Sequence, residues 1–126
     1  MKKILLILVV LLFSSVSFGQ DKCGKYKDGT FKLVDKVRNE THIIKRKGNI
    51  QSEEVEGTTL KYDFEVKWIN DCSYTLHPTE DTIKLLKVDY TLIVEIAEIK
   101  GNMLMLKMFS KESPDSIISV EVEAIN

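Results

Sequence analysis

A regular alternation of apolar and polar residues between Leu60 and Trp68 constrains the fold more than any other feature of the sequence. Apolar side chains occupy every second position and charged ones lie between them, so one face of the segment is apolar and the other is polar. The alternation resumes from Cys72 to Leu76, after the short interruption at residues 69–71. This arrangement predicts a β-hairpin.

The hairpin is expected to have a three-residue loop, because that length brings the two apolar faces to the same side. Trp68 then lies opposite Cys72. A two-residue loop would place apolar residues of one strand beside charged residues of the other, since a one-residue slip exchanges the two faces of a strand. We expect Asn70 or Asp71 to adopt the left-handed conformation in this loop.

The rest of the chain after residue 28 reads as short strands separated by turn residues. Strands are predicted at residues 30–34, 41–47, 50–55, 91–99 and 103–109, with a last strand containing Ile118, Val120 and Val122. Two-residue turns are predicted at residues 48–49, 56–57 and 101–102, and a loop at residues 113–115. Residues 82–88 fit either a short strand or a helical turn. Apolar residues on both faces of residues 91–109 leave the inner face of those strands unassigned.

About eight short strands without a convincing helix are typical of an all-β domain. We predict a single antiparallel up-and-down meander that closes into a small barrel, with a β-sandwich as the alternative.

The first residues have the pattern of a signal peptide. Lys2 and Lys3 precede an apolar run over residues 4–13, which is too short to span a bilayer, and small residues follow up to Gly19. We predict cleavage after Gly19, a single mature domain of residues 20–126 with no transmembrane segment, and a periplasmic or secreted location.

The charge balance of the mature domain bears on its partners. All 19 acidic residues lie in it, whereas two of the 18 basic residues leave with the signal peptide. A mildly acidic domain lacks the positive field that nucleic acids and anionic membranes attract. We therefore expect no nucleic-acid partner.

Cys23 and Cys72 are the two cysteines of the chain. In an oxidising compartment a disulfide is the favoured interpretation, and a loop of this length predicts a stabilisation of about 4 kcal/mol. Two sulfurs without nearby histidines fit a zinc site less well. A redox pair is usually closer in sequence, as in C-x-x-C.

Polar residues are predicted to lie among aromatic ones on one face of the meander. The predicted turns place Arg46 opposite Gln51, and Glu53 opposite Leu60. The face then includes the following residues: Arg46, Gln51, Glu53, Tyr62, Phe64, Trp68 and Tyr74. Apolar walls with a few polar groups are typical of a ligand pocket.

Three interpretations of these polar residues stay open. Arg46 and Glu53 could pair with each other inside the core, because a buried charge needs a partner. A register error of one residue would instead place them in solvent. In the third interpretation they contact a ligand.

The sequence contains no recognisable catalytic constellation. It has neither a G-x-S-x-G motif nor a glycine-rich phosphate loop. His42 and His77 are far apart and without carboxylates or cysteines at metal-ligand spacing, so we interpret them as surface residues. No enzyme activity, cofactor or metal is predicted.

Three motifs of the chain resemble those of a family of small secreted bacterial β-proteins. The first, C-x-K-[FY]-K-x-G-x-F, matches residues 23–31, and the second, R-x4-Q-x-E, matches Arg46, Gln51 and Glu53. The third, W-x3-C-x-[YF]-x-L, matches residues 68–76. The resemblance covers nearly all of the mature chain and implies a barrel that is lipocalin-like in outline. The family has no established function.

The resemblance also implies which positions of this chain correspond to those of the family motifs. They are Arg46, Gln51, Glu53, Trp68 and the two cysteines. Some members carry a transferred "DNA topoisomerase IV" label, but such a subunit needs a far larger chain, a magnesium-binding acidic site and a cytoplasmic location.

Two hypotheses about function follow. The first is a barrel that binds a small, partly apolar or amphipathic ligand, with Arg46 and Gln51 as polar anchors and the aromatic residues as walls. The second is a structural or protein-interaction module of the cell envelope, which has a filled core and a binding surface on an edge strand or outer face.

Overall fold

The structure is a computed structural model that describes residues 23–125 of the chain. The predicted signal peptide and its cleavage after Gly19 lie outside the described residues.

Eight antiparallel strands form the fold, and each is hydrogen-bonded to the next strand along the chain. The strands are β1 (Gly29–Asp35), β2 (Glu40–Lys47), β3 (Ile50–Val55), β4 (Lys61–Asn70), β5 (Ser73–Pro78), β6 (Leu92–Lys100), β7 (Met103–Ser110) and β8 (Ser113–Ala124). β8 returns to β1, with Phe31 opposite Ala124 and Lys32 opposite Glu123. The predicted up-and-down barrel is therefore confirmed.

Period-two alternation decides which side chains fill the barrel. In β2, Ile44 and Arg46 are buried, whereas Lys45 and Lys47 are exposed. The same alternation in the other strands produces one continuous core. Its buried members are Cys23, Phe31, Ile44, Val66, Tyr74, Leu76, Val94, Ile96, Leu104, Leu106 and Val122.

A bulge in β6 explains why Ile99 breaks the alternation of inward-facing residues in this strand. Val94 and Ile96 are buried, but the register shifts between Ile96 and Glu98. The extra residue reverses the inward parity of the strand, so that Ile99 packs against the core as well. A single period therefore could not describe the whole strand.

The predicted pairing of the β4–β5 hairpin is wrong by two residues. Trp68 lies opposite Tyr74 instead of Cys72, because a bulge at Ile69 precedes a turn at residues 71–72. The Asn70 side chain accepts a hydrogen bond from the Cys72 backbone N–H at 2.9 Å, which stabilises this turn. A shift of two residues preserves the faces, so the predicted apolar side is correct.

The predicted left-handed residue of this loop is also wrong. The non-glycine residues with positive φ in the described chain are Asn39 and Lys87. The turn needs no left-handed residue, because the hydrogen bond to the Asn70 side chain stabilises it.

The β3–β4 connection is longer than predicted. Glu53 lies opposite Tyr62, not Leu60, because residues 56–60 form the loop in place of a two-residue turn at 56–57. Thr58 holds the loop: its hydroxyl donates to the Val55 carbonyl and accepts from the Leu60 backbone N–H. This shift is again of two residues and leaves the inner face unchanged.

The structure also defines the segments 82–88 and 113–115. Residues in the ambiguous stretch 82–88 belong to helix α1 (Glu80–Leu86), whose N-cap is Thr79. The loop predicted at residues 113–115 is instead the beginning of β8, because the β7–β8 turn lies at residues 111–112. Within residues 23–125, no helix is long and apolar enough to cross a bilayer.

The two ends of the barrel differ. At the closed end, residues 23–28 contact all three turns that connect β2 to β3, β4 to β5 and β6 to β7. These contacts join Tyr26 to Gly101 (3.1 Å), Asp28 to Gly48 (3.0 Å) and Lys27 to Asp71 (3.0 Å). At the open end lie residues 36–39, residues 56–60, α1 with the segment after it, and the 111–112 turn.

The predicted disulfide between Cys23 and Cys72 is confirmed, with the two Cα atoms 5.1 Å apart. It joins the segment that covers the closed end to the β4–β5 turn. Disulfides persist in oxidising compartments, so the bond is consistent with a protein outside the cytoplasm.

Replacing both cysteines by serine should lower the free energy of unfolding by about 4 kcal/mol, because the disulfide closes a loop of 49 residues. Urea denaturation followed by circular dichroism measures this change. The reduced wild-type protein should match the double variant. Equal stability of the oxidised and reduced proteins would contradict the prediction.

Candidate functional site

A cavity of about 410 Å³ lies inside the barrel and reaches the open end. Its volume is within the range of small-molecule binding sites, which is roughly 300–1,000 Å³. The walls contributed by β5 to β8 are apolar apart from the Tyr74 hydroxyl. These wall residues are Tyr74, Leu76, Pro78, Leu92, Leu104, Leu106, Met108, Val120 and Val122.

The polar side chains of the cavity come mainly from the β2–β3 hairpin. Glu40, His42 and Arg46 occupy alternate inward positions of β2, and Gln51 and Glu53 do so in β3. The 48–49 turn pairs Arg46 with Gln51, as predicted from the sequence. Because side chains alternate between the two faces of a strand, these polar residues form one polar stripe that faces the inside of the barrel.

Arg46 is buried at the closed end, where it donates hydrogen bonds to four acceptors. Two are backbone carbonyls of the segment that covers this end, and two are side chains within the barrel. The acceptors are Lys27 O (2.7 Å), Tyr26 O (2.8 Å), Gln51 Oε1 (2.7 Å) and the Tyr74 hydroxyl (3.1 Å). The guanidinium thus links the barrel wall to the N-terminal segment.

Aromatic rings surround the same guanidinium. Its central carbon lies 4.8 Å from the centre of the Phe31 ring, 4.6 Å from that of Tyr74 and 5.5 Å from that of Trp68. Such rings attract a cation through their negative faces. Burial lowers the pKa of Arg46, and the neighbouring Tyr74 opposes this effect.

These contacts rule out two of the three interpretations of Arg46 and weaken the third. The side chain is buried, so the solvated interpretation is wrong. Among the described residues it forms no ion pair with Glu53, so the paired interpretation is wrong as well. Most of its donors already have protein acceptors, which leaves little capacity for a ligand.

Glu53 instead lies beside His42, nearer the open end of the barrel. Glu53 Oε1 is 3.2 Å from His42 Nδ1, and Glu40 Oε1 is 3.7 Å from His42 Nε2. Burial raises the pKa of Glu53, while the adjacent His42 opposes the rise. One imidazole therefore lies between two carboxylates.

The interpretation of His42 as a surface residue is wrong, because its side chain is 17% exposed and lines the cavity. Glu53 reaches it from the neighbouring strand and was not evident from spacing, whereas Glu40, two residues earlier on the same face of β2, was overlooked. A usable signal was present: His42 shares the alternating face of Ile44 and Arg46. His77 is more exposed and lies 3.3 Å from Asp89.

The seven residues predicted for the site are divided between two places. Six of them line the cavity: Arg46, Gln51, Glu53, Tyr62, Phe64 and Tyr74. Trp68 lies outside the cavity, at the closed end of the barrel. The centre of its ring is 4.7 Å from that of the Tyr74 ring. Sequence reasoning also missed the residues at the open end, among them Arg38, Leu86, Val88 and Tyr90.

One group of side chains has the composition of a metal site. The potential ligand atoms of Asp35, Glu40 and His42 lie within 4.8 Å of one another. This group is located at the open end, where β1 turns into β2.

Comparison with known proteins adds no relative. No family model matches the chain, and no curated protein or solved structure shows significant similarity to it. The resemblance to small secreted β-proteins therefore stays a prediction.

Replacing Arg46 by alanine should lower the free energy of unfolding by about 3 kcal/mol or more, because four acceptors lose their donor in a buried place. Arg46→Lys should recover only part of this loss, since an ammonium group cannot reach four acceptors arranged around a guanidinium.

Lys45→Ala is the matched control for Arg46→Ala, since Lys45 is the exposed neighbour on the same strand. It should change stability by less than about 0.5 kcal/mol. Urea denaturation measures all three variants. Equal effects at positions 45 and 46 would contradict the proposed role of Arg46 in closing the barrel.

The stability of the protein should depend on Tyr74 at alkaline pH. Burial raises the pKa of Tyr74 in the folded protein, with Arg46 opposing the rise. The unfolded chain therefore loses this proton first, near the ordinary tyrosine pKa of about 10. Stability should decline as pH rises from that value through the folded pKa.

Urea denaturation at a series of pH values tests this prediction. Tyr74→Phe should remove part of the alkaline decline, whereas Tyr90→Phe, at the partly exposed open end, should leave the decline intact. The same slope in wild type and Tyr74→Phe would show that Tyr74 does not contribute.

Proposed function

We propose that this chain is a secreted or periplasmic barrel protein that binds a small, partly apolar ligand inside its cavity. The observation that carries the proposal is the 410 Å³ space, which is open at one end and largely apolar in its lining. The predicted signal peptide and the disulfide support the location.

The ligand's apolar part fits against β5 to β8. Leu76, Leu104, Leu106 and Met108 provide aliphatic surface, and Phe64 provides an aromatic ring on the adjacent wall. Burial of apolar ligand surface is worth roughly 25 cal/mol per Å² before the costs of association. This wall therefore supplies affinity without selecting one head group.

The ligand's polar part belongs near the open half of the cavity. The sequence suggested Arg46 and Gln51 as anchors, but these two side chains bind each other and the closed end. Glu53 and Tyr62 lie opposite one another above them, and His42 lies beside Glu53. We assign the polar contacts to these three residues.

Apolar residues at the open end support a path for such a ligand. Leu60, Leu86, Val88 and Tyr90 line the cavity there and are each more than a third exposed. A partly apolar molecule would meet compatible surface before it enters. That the protein is not an enzyme stays a prediction.

A protein-interaction module of the cell envelope is the second candidate, because the first half of β8 is exposed. Ile117 and Ile118 are 56% and 61% exposed. Among the described residues, the pairing of β8 with β1 is confined to the closed end of the two strands. Unpaired strand edges can accept a strand from another chain.

A dye titration with a matched pair of variants tests ligand binding. Nile red should bind the purified protein saturably, and fatty acids, retinoids or haem that share the cavity should displace it. Met108→Trp should weaken binding at least tenfold, because Met108 lines the cavity and an indole would fill part of it.

Met105→Trp is the control, since residue 105 has the opposite parity to the inward-facing Leu104 and Leu106 of the same strand. It should leave the affinity unchanged. Equal binding by both variants would place the dye on the surface. The lack of saturable binding by wild type to any of these molecules would favour the second candidate.

A further inference from the structure

An excess of negative charge surrounds His42 at the open end. Its Nδ1 lies 3.2 Å from Glu53 Oε1 and its Nε2 lies 3.7 Å from Glu40 Oε1. The carboxylate of Asp35 joins the same group, with its ligand atom within 4.8 Å of those of Glu40 and His42. Three carboxylates therefore face at most one positive charge on the imidazole.

The sheet itself imposes this arrangement. Asp35 and Glu40 are directly opposite each other in the β1–β2 ladder, and His42 follows Glu40 on the same face of β2. Like charges directly opposite each other across two strands are destabilising. Arg38 also lines the cavity nearby, but among the described residues it forms no ion pair with these carboxylates.

The two nitrogens of His42 have different surroundings. Nδ1 is buried and has no aligned hydrogen-bond partner among the described residues, although Glu53 is within ion-pair distance. A small rotation of the ring would let Nδ1–H donate to Glu53. The lone pair of Nε2, which lies 3.7 Å from Glu40 Oε1, would then be available to a metal ion. A carboxylate that orients a histidine in this way is the usual support of a metal-binding imidazole.

The remaining donors are suitable for a metal ion. Asp35 Oδ1 accepts hydrogen bonds from the backbone N–H groups of Val37 and Arg38, which fixes the carboxylate in place. Among the described residues, no hydrogen bond engages its other oxygen. Glu40 is held in register by the same strand pair.

We propose that Asp35, Glu40 and His42 bind a divalent metal ion of the zinc type, with Glu53 as the positioning residue for His42. One imidazole and two carboxylates match the ligands that zinc accepts, and three protein ligands leave one tetrahedral position for water or another ligand. Magnesium and calcium prefer sites made of oxygen alone. The ion would also neutralise the carboxylates that face each other.

Isothermal titration calorimetry with zinc chloride, on the purified protein after removal of metals with a chelator, tests the proposal. Wild type should bind one zinc ion per chain, and its melting temperature should rise with zinc concentration. Magnesium should neither bind with comparable affinity nor compete.

His42→Ala should lower zinc affinity at least a hundredfold. His77→Ala is the matched control, because His77 is a second histidine whose one ion-pair partner among the described residues is Asp89, at 3.3 Å. It should leave zinc binding unchanged. Wild-type affinity in His42→Ala, or an equal loss in His77→Ala, would overturn the proposal.

Glu40→Gln provides a second test if His42→Ala does not fold, since the amide keeps the shape of the side chain and removes the charge. Zinc affinity should fall at least tenfold. Undiminished binding by folded Glu40→Gln, judged by circular dichroism, would also overturn the proposal.

The positioning role of Glu53 has its own readout. Glu53→Gln should lower zinc affinity about tenfold and shift the ring nitrogen resonances of His42 in the NMR spectrum. Glu54→Gln, on the opposite face of the same strand, should do neither. Unchanged His42 resonances in Glu53→Gln would remove Glu53 from the site.

Discussion

The burial of one guanidinium, that of Arg46, organises the closed end of the barrel. An unpaired buried charge is expensive, and no carboxylate among the described residues forms an ion pair with this one. Four oxygen acceptors and three aromatic rings compensate it instead. Two of those oxygens are carbonyls of Tyr26 and Lys27, so the charge is satisfied only when the N-terminal segment covers the barrel. The Cys23–Cys72 disulfide holds the same segment to the β4–β5 turn.

This closure determines where a ligand can be bound. Because Arg46 and Gln51 are occupied by the closed end, the free polar groups of the interior lie nearer the open end, around Glu53 and His42. The open end has no comparable covering segment among the described residues; helix α1 is attached at its side by hydrogen bonds between Thr82 and the backbone of Asp63. The structure therefore combines a covered end with an accessible one.

The barrel and its inner face could be predicted from the sequence because both depend on local alternation. Two hairpin registers were wrong, yet each by two residues, and a shift of two leaves every side chain on its own face. Arg46, Glu53 and Tyr62 accordingly lie inside, as expected. The bulge at Ile69 was not predictable in the same way, since it depends on a side-chain hydrogen bond made by Asn70. Contacts between distant segments, such as that of Arg46 with Tyr26, leave no periodic signal either.

The polar and apolar groups of the cavity lie on opposite walls. This arrangement constrains how polar and apolar surface is distributed along a ligand more than it constrains the identity of a head group. Glu40, His42 and Glu53 all project from the β2–β3 hairpin, whereas the wall from β5 to β8 is apolar apart from the Tyr74 hydroxyl at its base. A fatty acid with one polar end would satisfy the apolar wall but leave most of the polar stripe unpaired. A ligand that is polar along one side and apolar along the other would satisfy both. A metal ion at Asp35, Glu40 and His42 would change this balance, because it would neutralise the upper part of the stripe and leave Glu53 to position the imidazole.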